Sequence, residues 1–365
     1  MNKEQLHDLM ARAVALARNG GRAVYPNPMV GAVIFDDAGT ILAEGWHRCC
    51  GGDHAEIDAL KKLGRAATGL SMAVTLEPCN HFGKTPPCSH ALVNADIKKV
   101  YIAAHEPTEK ACGGCDHLAA NGIPTEFVPG FEDELAELNR FFYTTAKQGR
   151  PWVTLKAATT IDGFIALPDG VSKYISCPEA LTEVHRMRAG HMAIAVGANT
   201  VNCDDPLLNV RHVEGPDPVP VIFSAQLNLR TDRKIFDRAP IIFTAIADAD
   251  RLAPFTARGC RVETVAPGSG FINRALHILW EKYRINSLLV EGGATLHAAF
   301  LAADAADELV RFIAPFHLGD GIALRGAPAL TDLALRRDWQ LHATGRFGTD
   351  AIMIWRRGAP TARPE

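Results

Sequence analysis

Three metal-ligand side chains and one carboxylate occur in a fixed order early in this chain: His54-Ala55-Glu56, then Pro78-Cys79, then Cys88 behind Pro86-Pro87. An imidazole and two thiolates supply three of the four ligands of a tetrahedral Zn²⁺ and leave one position open for water. A glutamate two residues beyond the histidine can pass protons to and from that water without binding the metal. Whatever the chain folds into must then gather residues 54, 79 and 88 at one point. Taken singly, the cysteines read as buried apolar residues, as free cysteines often are. Glu56 alone reads as a solvated helix carboxylate.

The order resembles the zinc-dependent nucleobase deaminases, which carry a histidine, a glutamate two residues on, and a Pro-Cys ahead of a second cysteine. Thr75-Leu76-Glu77-Pro78-Cys79-Asn80-His81-Phe82-Gly83-Lys84-Thr85-Pro86-Pro87-Cys88 resembles, more narrowly, the signature loop of the bifunctional riboflavin-biosynthesis deaminase/reductase family. So does Pro26-Asn27-Pro28-Met29-Val30-Gly31-Ala32-Val33. Eight residues separate Cys79 from Cys88, where most cytidine and tRNA adenosine deaminases place two, and the longer gap points to this family. The resemblance implies one Zn²⁺ per chain on His54, Cys79 and Cys88. Hydrolytic deamination of an aminopyrimidine needs hydroxide near neutral pH, which zinc provides by lowering the pKa of water to about 7. Glu56 would take the water proton, protonate a ring nitrogen and deliver a proton to departing ammonia. Asn27, His47, His81 and Lys84 would contact the pyrimidine and its ribosyl phosphate.

Two features depart from the family. In place of its usual Asp-Pro-Asn and following glycines stand Glu106-Pro107-Thr108 and Cys112-Gly113-Gly114-Cys115, so part of the substrate contact set is expected to differ. A Cys-x-x-Cys is a redox pair, half of a metal site, or a glycine-rich loop with incidental thiols. Cys49-Cys50 and His117 are the residues that could complete a metal site there.

Leu6, Leu9, Met10, Ala13, Leu16 and Ala17 recur at helical spacing and predict an opening amphipathic helix. Strands are predicted at Val30–Phe35 and Ile41–Glu44 around the turn Asp36-Asp37-Ala38-Gly39, then at Met72–Leu76 and Val100–Ala104. Helices are predicted at His54–Leu63 and Ser89–Ala95. Two ligand-bearing segments then open helices, where partial positive charge favours thiolate over thiol. Alternating strands and helices give an α/β fold, by resemblance a cytidine-deaminase-like α/β/α sandwich over residues 1–147.

Gln148-Gly149-Arg150-Pro151 is a break, and Pro151–Lys156 starts a strand, so a second domain is expected over residues 150–365. Ser176-Cys177-Pro178-Glu179 reads as a capping box ahead of a helix through Leu181, Val184, Met187 and Arg188. Ala193–Val196 and Ser287–Val290 read as buried strands. Gly-x-Gly-x-x-Gly does not occur in a strand–turn–helix context, so a Rossmann domain is not supported. Thr160-Ile161-Asp162-Gly163, Gly197-Ala198-Asn199-Thr200, Asp204–Arg211 and Glu291-Gly292-Gly293 follow the order of the same family's reductase, a dihydrofolate-reductase-like α/β domain that uses NADPH. The resemblance places substrate at Ser172, Arg188, Leu208, Arg211 and Glu291. It places the nucleotide at Thr159, Tyr174, Thr200, Asp204, Ser224 and the turn Gly293-Ala294-Thr295. Arg188 and Arg211 would clamp the phosphate, and NADPH would deliver hydride to the sugar's first carbon as its open imine. Phe164 stands where the family has arginine or lysine, so the hydride pocket is expected to be shaped differently.

The charge balance limits the partners. A net charge of −3 with no basic stripe argues against a polyanion such as RNA, whose binding rests on phosphate neutralisation. That disfavours a tRNA-editing deaminase with a recognition module behind it. Nothing at the N-terminus resembles a secretory signal, and no apolar run reaches the roughly 18 residues that span a bilayer. Nine cysteines, at least two of which look like metal thiolates, fit reduced cytosolic thiols and not a disulfide framework. The expectation is a cytoplasmic, homo-oligomeric enzyme with a small-molecule substrate. Its rivals are a deaminase whose second half has lost hydride transfer, and a structural zinc protein with a closed site.

Overall fold

The structure is a computed structural model and describes residues 2–82, 86–172, 175–324 and 339–357. The chain divides into two compact units, Met1–Gly149 and Arg150–Glu365.

The first unit runs α1 (Lys3–Ala17), β1 (Gly31–Phe35), β2 (Ile41–Trp46), α2 (Ala55–Leu63), β3 (Ser71–Val74), α3 (Cys88–Asn94), β4 (Lys99–Ile102), α4 (Gly114–Ala120), β5 (Thr125–Phe127), α5 (Glu132–Leu138) and α6 (Arg140–Gln148). Its sheet has the order β2-β1-β3-β4-β5, with β1 antiparallel to β2 and β3 and the remaining pairs parallel. All five residues of β1 are buried, because the sheet is covered on both faces. Ala32 and Ile34 pack with Ala55, Ala59 and Leu92 of α2 and α3, whereas Val33 and Phe35 pack with Met10, Val14 and Leu135 of α1 and α5. This is a three-layer sandwich.

One close approach fixes α2. A Cβ on Gly45 would lie 2.3 Å from the Ala55 carbonyl and 2.4 Å from the Ala59 nitrogen, so the helix rests directly on the β2 backbone. Its N-cap is His54, in extended conformation.

The second unit contains β6 (Trp152–Thr160), β7 (Phe164–Ala166), α7 (Pro178–Gly190), β8 (Ala193–Gly197), α8 (Ala198–Asp204), β9 (Val219–Phe223), β10 (Ile241–Thr244), α9 (Ala249–Thr256), β11 (Arg261–Thr264), α10 (Phe271–Glu281), β12 (Ser287–Val290), α11 (Ala294–Ala302), β13 (Glu308–Ala314), β14 (Ile322–Ala323), β15 (Trp339–Phe347) and β16 (Asp350–Arg357). Nine strands form one sheet in the order β11-β10-β9-β8-β12-β6-β13-β16-β15. The pairs from β11 to β13 are parallel, and β16 is antiparallel to both its neighbours. One face packs on α10 and α11 through Leu155, Val221, Leu276 and Phe300. The other packs on α7, α8 and α9 through Val184, Phe312, Ile194, Val201 and Phe255.

The capping box expected at Ser176 does not form. The N-cap of α7 is Cys177, with Pro178 following in the first turn, and no side chain caps the helix. Ser176 lies one residue too early, and Glu179 falls at the second helical position instead of the third. Cys177 instead donates its amide to Asp350 at 3.2 Å and its thiol to the Phe347 carbonyl at 3.0 Å.

Candidate active sites

In the first unit, α2 and α3 each present a ligand at the N-terminus. His54 caps α2, Cys88 opens α3, and Cys79 sits in the loop behind β3. Their ligand atoms all lie within 4.8 Å of one another. His54 Nδ1 is 3.6 Å from Cys79 Sγ and 3.3 Å from Cys88 Sγ. A tetrahedral zinc with Zn–N of about 2.0 Å and Zn–S of about 2.3 Å sets its nitrogen and sulfur ligands about 3.5 Å apart. The donors are thus preset at the spacing the ion needs. The Cys88 amide donates to Cys79 Sγ at 3.4 Å. Hydrogen bonding from Cys88 and His54 pulls the Cys79 thiol down to about 4, while the bond to Cys79 raises His54 to about 9. One sulfur of the pair is therefore ready as a thiolate.

Glu56 is 3% exposed, and burial raises its carboxyl above the usual range against the pull of His54. His47, also buried, stands edge-on to His54 with ring centroids 5.2 Å apart. Its Nδ1 meets the Asp53 carbonyl at 2.8 Å, which assigns the proton there, and Nε2 then accepts from the Asn27 amide at 3.2 Å. The structure thus brings Asn27 and His47 to the metal-ligand cluster. His81 follows Cys79 in the same loop, and its Nδ1 is buried without a hydrogen-bond partner. Lys84 lies outside the described residues.

The loop bearing Cys79 is braced from behind by Glu77, which sequence reasoning missed. Its carboxylate is 7% exposed and accepts the Cys115 amide at 3.1 Å and the Glu106 amide at 3.3 Å. A Cβ on Gly114 would fall 1.8 Å from the Pro78 carbonyl, so only glycine lets α4 approach there. Glu106 bonds Thr108 through both its amide, 3.0 Å, and its hydroxyl, 2.5 Å. Burial raises the Glu106 carboxyl.

In the second unit the expected residues collect at the carboxyl ends of parallel strands. Thr159 is near the end of β6, Thr200 and Asp204 lie on α8 behind β8, Ser224 follows β9, and Gly293-Ala294-Thr295 open α11 behind β12. The connection from β8 leads to β9 on one side and that from its neighbour β12 leads past β6 to β13 on the other, so the strand order reverses between them; open α/β sheets bind ligands at such a crevice. Arg188 and Glu291 form a bidentate pair of 2.7 and 2.9 Å, both about one-tenth exposed. Arg188 also donates to the Asn209 carbonyl at 3.0 Å. Its guanidinium is thus committed to protein, and of the two arginines expected at the phosphate Arg211 is the exposed one. The Arg211 amide donates to His185 Nδ1 at 2.9 Å, and its guanidinium bonds the Asn209 side chain. Leu208 has φ of 52°, and its side chain packs in the core. Ser172 is exposed in the loop behind β7, and Tyr174 lies outside the described residues. Phe164 donates its amide to Thr160 Oγ1 at 3.1 Å.

Two residues here escaped the sequence reading. Lys156 lies on β6 and feels both Glu291 and Arg188; burial above all lowers its pKa. A lysine inside an otherwise apolar and threonine strand was the available signal. His185 is held down to about 4 by burial and then by Arg188, so its ring stays neutral. It stands three residues before Arg188, on the same face of α7.

A family model for the cytidine and deoxycytidylate deaminase zinc-binding region matches residues 3–104, and one for the RibD C-terminal domain matches residues 151–353. The riboflavin biosynthesis protein RibD of Haemophilus influenzae is 35% identical over 95% of this chain and 96% of its own length. That of Aquifex aeolicus is 36% identical over 98% of this chain and 100% of its own. The chain belongs to the RibD family. The crystal structure of Acinetobacter baumannii RibD superposes with a TM-score of 0.88 at 32% identity, covering 98% of this chain and 99% of that one. The diaminohydroxyphosphoribosylaminopyrimidine deaminase/5-amino-6-(5-phosphoribosylamino)uracil reductase of Thermotoga maritima gives 0.84 at 33% identity, over 98% and 99%.

As a RibD protein the chain is a bifunctional riboflavin-biosynthesis enzyme, a cytidine-deaminase-like domain followed by a reductase domain. The match of the second half to the reductase model favours two activities over a lone deaminase. Among the described residues no helix is long and apolar enough to cross a membrane.

Proposed function

We propose that the first unit hydrolytically deaminates 2,5-diamino-6-(5-phosphoribosylamino)pyrimidin-4-one, and that the second reduces the ribosyl chain of 5-amino-6-(5-phosphoribosylamino)uracil with NADPH. The observation that carries the first half is the His54, Cys79 and Cys88 donor set at zinc spacing beside a buried Glu56 carboxyl. His54, Cys79 and Cys88 would hold a zinc ion, which would supply a water that ionises near neutral pH. Glu56 holds the proton released from that water, passes it to a ring nitrogen, and gives a proton to departing ammonia. Its burial keeps the carboxyl basic enough for both directions. Asn27 and His47 form one hydrogen-bonded face against the pyrimidine, and His81 offers it an unpartnered nitrogen. Lys84 joins them at the ribosyl phosphate.

In the second unit NADPH supplies the hydride when bound. Opening the ribosylamine to its imine needs an acid at the ring oxygen. In the cluster of Lys156, Glu291, Arg188 and His185, the ammonium of Lys156 is the suitable one: Arg188 does not deprotonate, and His185 is neutral. Glu291 holds Arg188 in place, and its charge favours the ammonium form of Lys156. Arg211 meets the phosphate, with Ser172 and the Leu208 backbone completing the substrate contacts. The nucleotide runs along Thr159, Thr200, Asp204 and Ser224, with a phosphate on the amides that open α11 at Gly293, Ala294 and Thr295. Tyr174 belongs to the same set. The reading makes the enzyme cytoplasmic and homo-oligomeric, with no nucleic-acid or membrane partner.

One incubation tests the sequence of steps. With the diaminopyrimidine nucleotide alone, mass spectrometry should show one amino group exchanged for oxygen; with NADPH added, two further hydrogens should appear on the sugar. Hydrogens added without prior deamination, or no exchange at all, would overturn the reading.

A further inference from the structure

We propose that this chain carries a second transition-metal site, built from Glu77, His105 and Cys115 and separate from the His54, Cys79 and Cys88 centre. The carboxylate, imidazole and thiol lie within 4.8 Å of one another. His105 Nδ1 is 3.3 Å from Glu77 Oε2. Nitrogen and oxygen ligands of a tetrahedral zinc, at about 2.0–2.1 Å from the ion, stand about 3.4 Å apart.

The three donors come from three elements that the fold forces together. β3 and β4 are parallel neighbours, so Glu77 and His105, each just beyond its strand, sit side by side, and the Glu77 amide donates to the Ala104 carbonyl at 2.8 Å. Cys115 enters in the first turn of α4 and is tied to the same carboxylate through its amide. Glu77 Oε1 accepts the Cys115 amide and keeps a lone pair, while Oε2 accepts the Glu106 amide and faces His105 Nδ1, the contact that a metal would bridge. The His105 ring lies flat on Phe127, centroids 5.7 Å apart and 4° from parallel, which fixes its direction. It is 69% exposed, so the cluster opens to solvent and an ion has a path in.

The donor chemistry is that of zinc. An imidazole, a carboxylate and a thiolate together suit a borderline ion and not magnesium or calcium. Free of metal, Cys115 is a thiol and carries its proton. On binding, that proton leaves to solvent and the sulfur pair it held forms the bond to the metal. Of the Cys-x-x-Cys, Cys115 alone takes part: Cys112 is exposed and donates its thiol to the Glu109 carbonyl at 3.3 Å. His117 is turned to stack on His90, centroids 4.0 Å apart.

The test is zinc stoichiometry of the full chain, stripped with chelator, dialysed against Zn²⁺ and counted by mass spectrometry of the metal. Wild type should bind two ions, and His105→Ala and Cys115→Ser one each. Cys88→Ser should also lose one, and Cys88→Ser with His105→Ala both. Cobalt loading of Cys88→Ser should show thiolate-to-metal absorption that disappears on adding Cys115→Ser. If Cys115→Ser does not fold, His105→Ala, a surface substitution, gives the same count. A wild-type count that neither His105→Ala nor Cys115→Ser lowers would overturn the site. So would a single ion per chain that Cys88→Ser removes. The Cys88 arm reports the other centre, so failure of one site does not pass for failure of the other.

Discussion

Glu56 illustrates how the basicity of a carboxylate is set by its surroundings. It sits in the first turn of a helix, where an acid ordinarily stays exposed, yet it is buried beside the His54 and Cys88 donors and its pKa is raised. Glu56→Gln should keep zinc bound and lose about 10²–10⁴-fold in deamination, because an amide cannot accept the proton. Activity within threefold of wild type, with metal retained, would remove Glu56 from the mechanism. In the other unit Arg211→Ala should raise KM for the phosphorylated substrate strongly and leave NADPH affinity unchanged; normal KM with lost NADPH binding would mean the two ligand sites are exchanged. Arg188→Ala is a different experiment. It removes the bidentate partner of the buried Glu291 carboxylate and leaves only the charge of Lys156 nearby; breaking a buried pair costs up to about 3–5 kcal/mol, so urea unfolding should shift where Arg211→Ala leaves it alone. That His54, Cys79 and Cys88 would meet at one point was legible from spacing, since a zinc ligand set has a fixed chemistry. Lys156, His185 and Glu77 were not, because each takes its surroundings from residues far away in the chain, Glu291 standing 135 positions beyond Lys156, brought near only by the fold.

At the scale of elements, α2 holds two functional side chains at the right depth because nothing separates it from β2. Gly45→Ala would place a methyl 2.3 Å from the Ala55 carbonyl and force the helix outward, taking His54 and Glu56 with it. Overpacking of this kind costs about 1–3 kcal/mol. Zinc retention in dialysis should fall along with the thermal midpoint; an unchanged metal content would show that α2 is not what positions His54. The run Gly31–Phe35 was readable as a strand, but its continuous apolar character conceals two faces that pack on different helices. The opening of α7 misled for a simpler reason. Ser176, Pro178 and Glu179 each favour a helix start, and only the tertiary bonds of Cys177 to Phe347 and Asp350 decide which residue is the cap.

The molecule as a whole divides at Gly149, with separate cores on either side. We expect residues 150–365 alone to fold and to oxidise NADPH with the deaminated substrate, needing no zinc, since a core of that size suffices for an independent domain. A fragment that folds but binds neither ligand would return the second half to a non-catalytic role. The most direct test of two independent chemistries in one chain is Cys88→Ser in the full-length protein, with both half-reactions assayed separately. The account predicts that deamination is lost while NADPH oxidation with pre-deaminated substrate continues at the wild-type rate. Deamination that survives, or two activities that fall together, would contradict it.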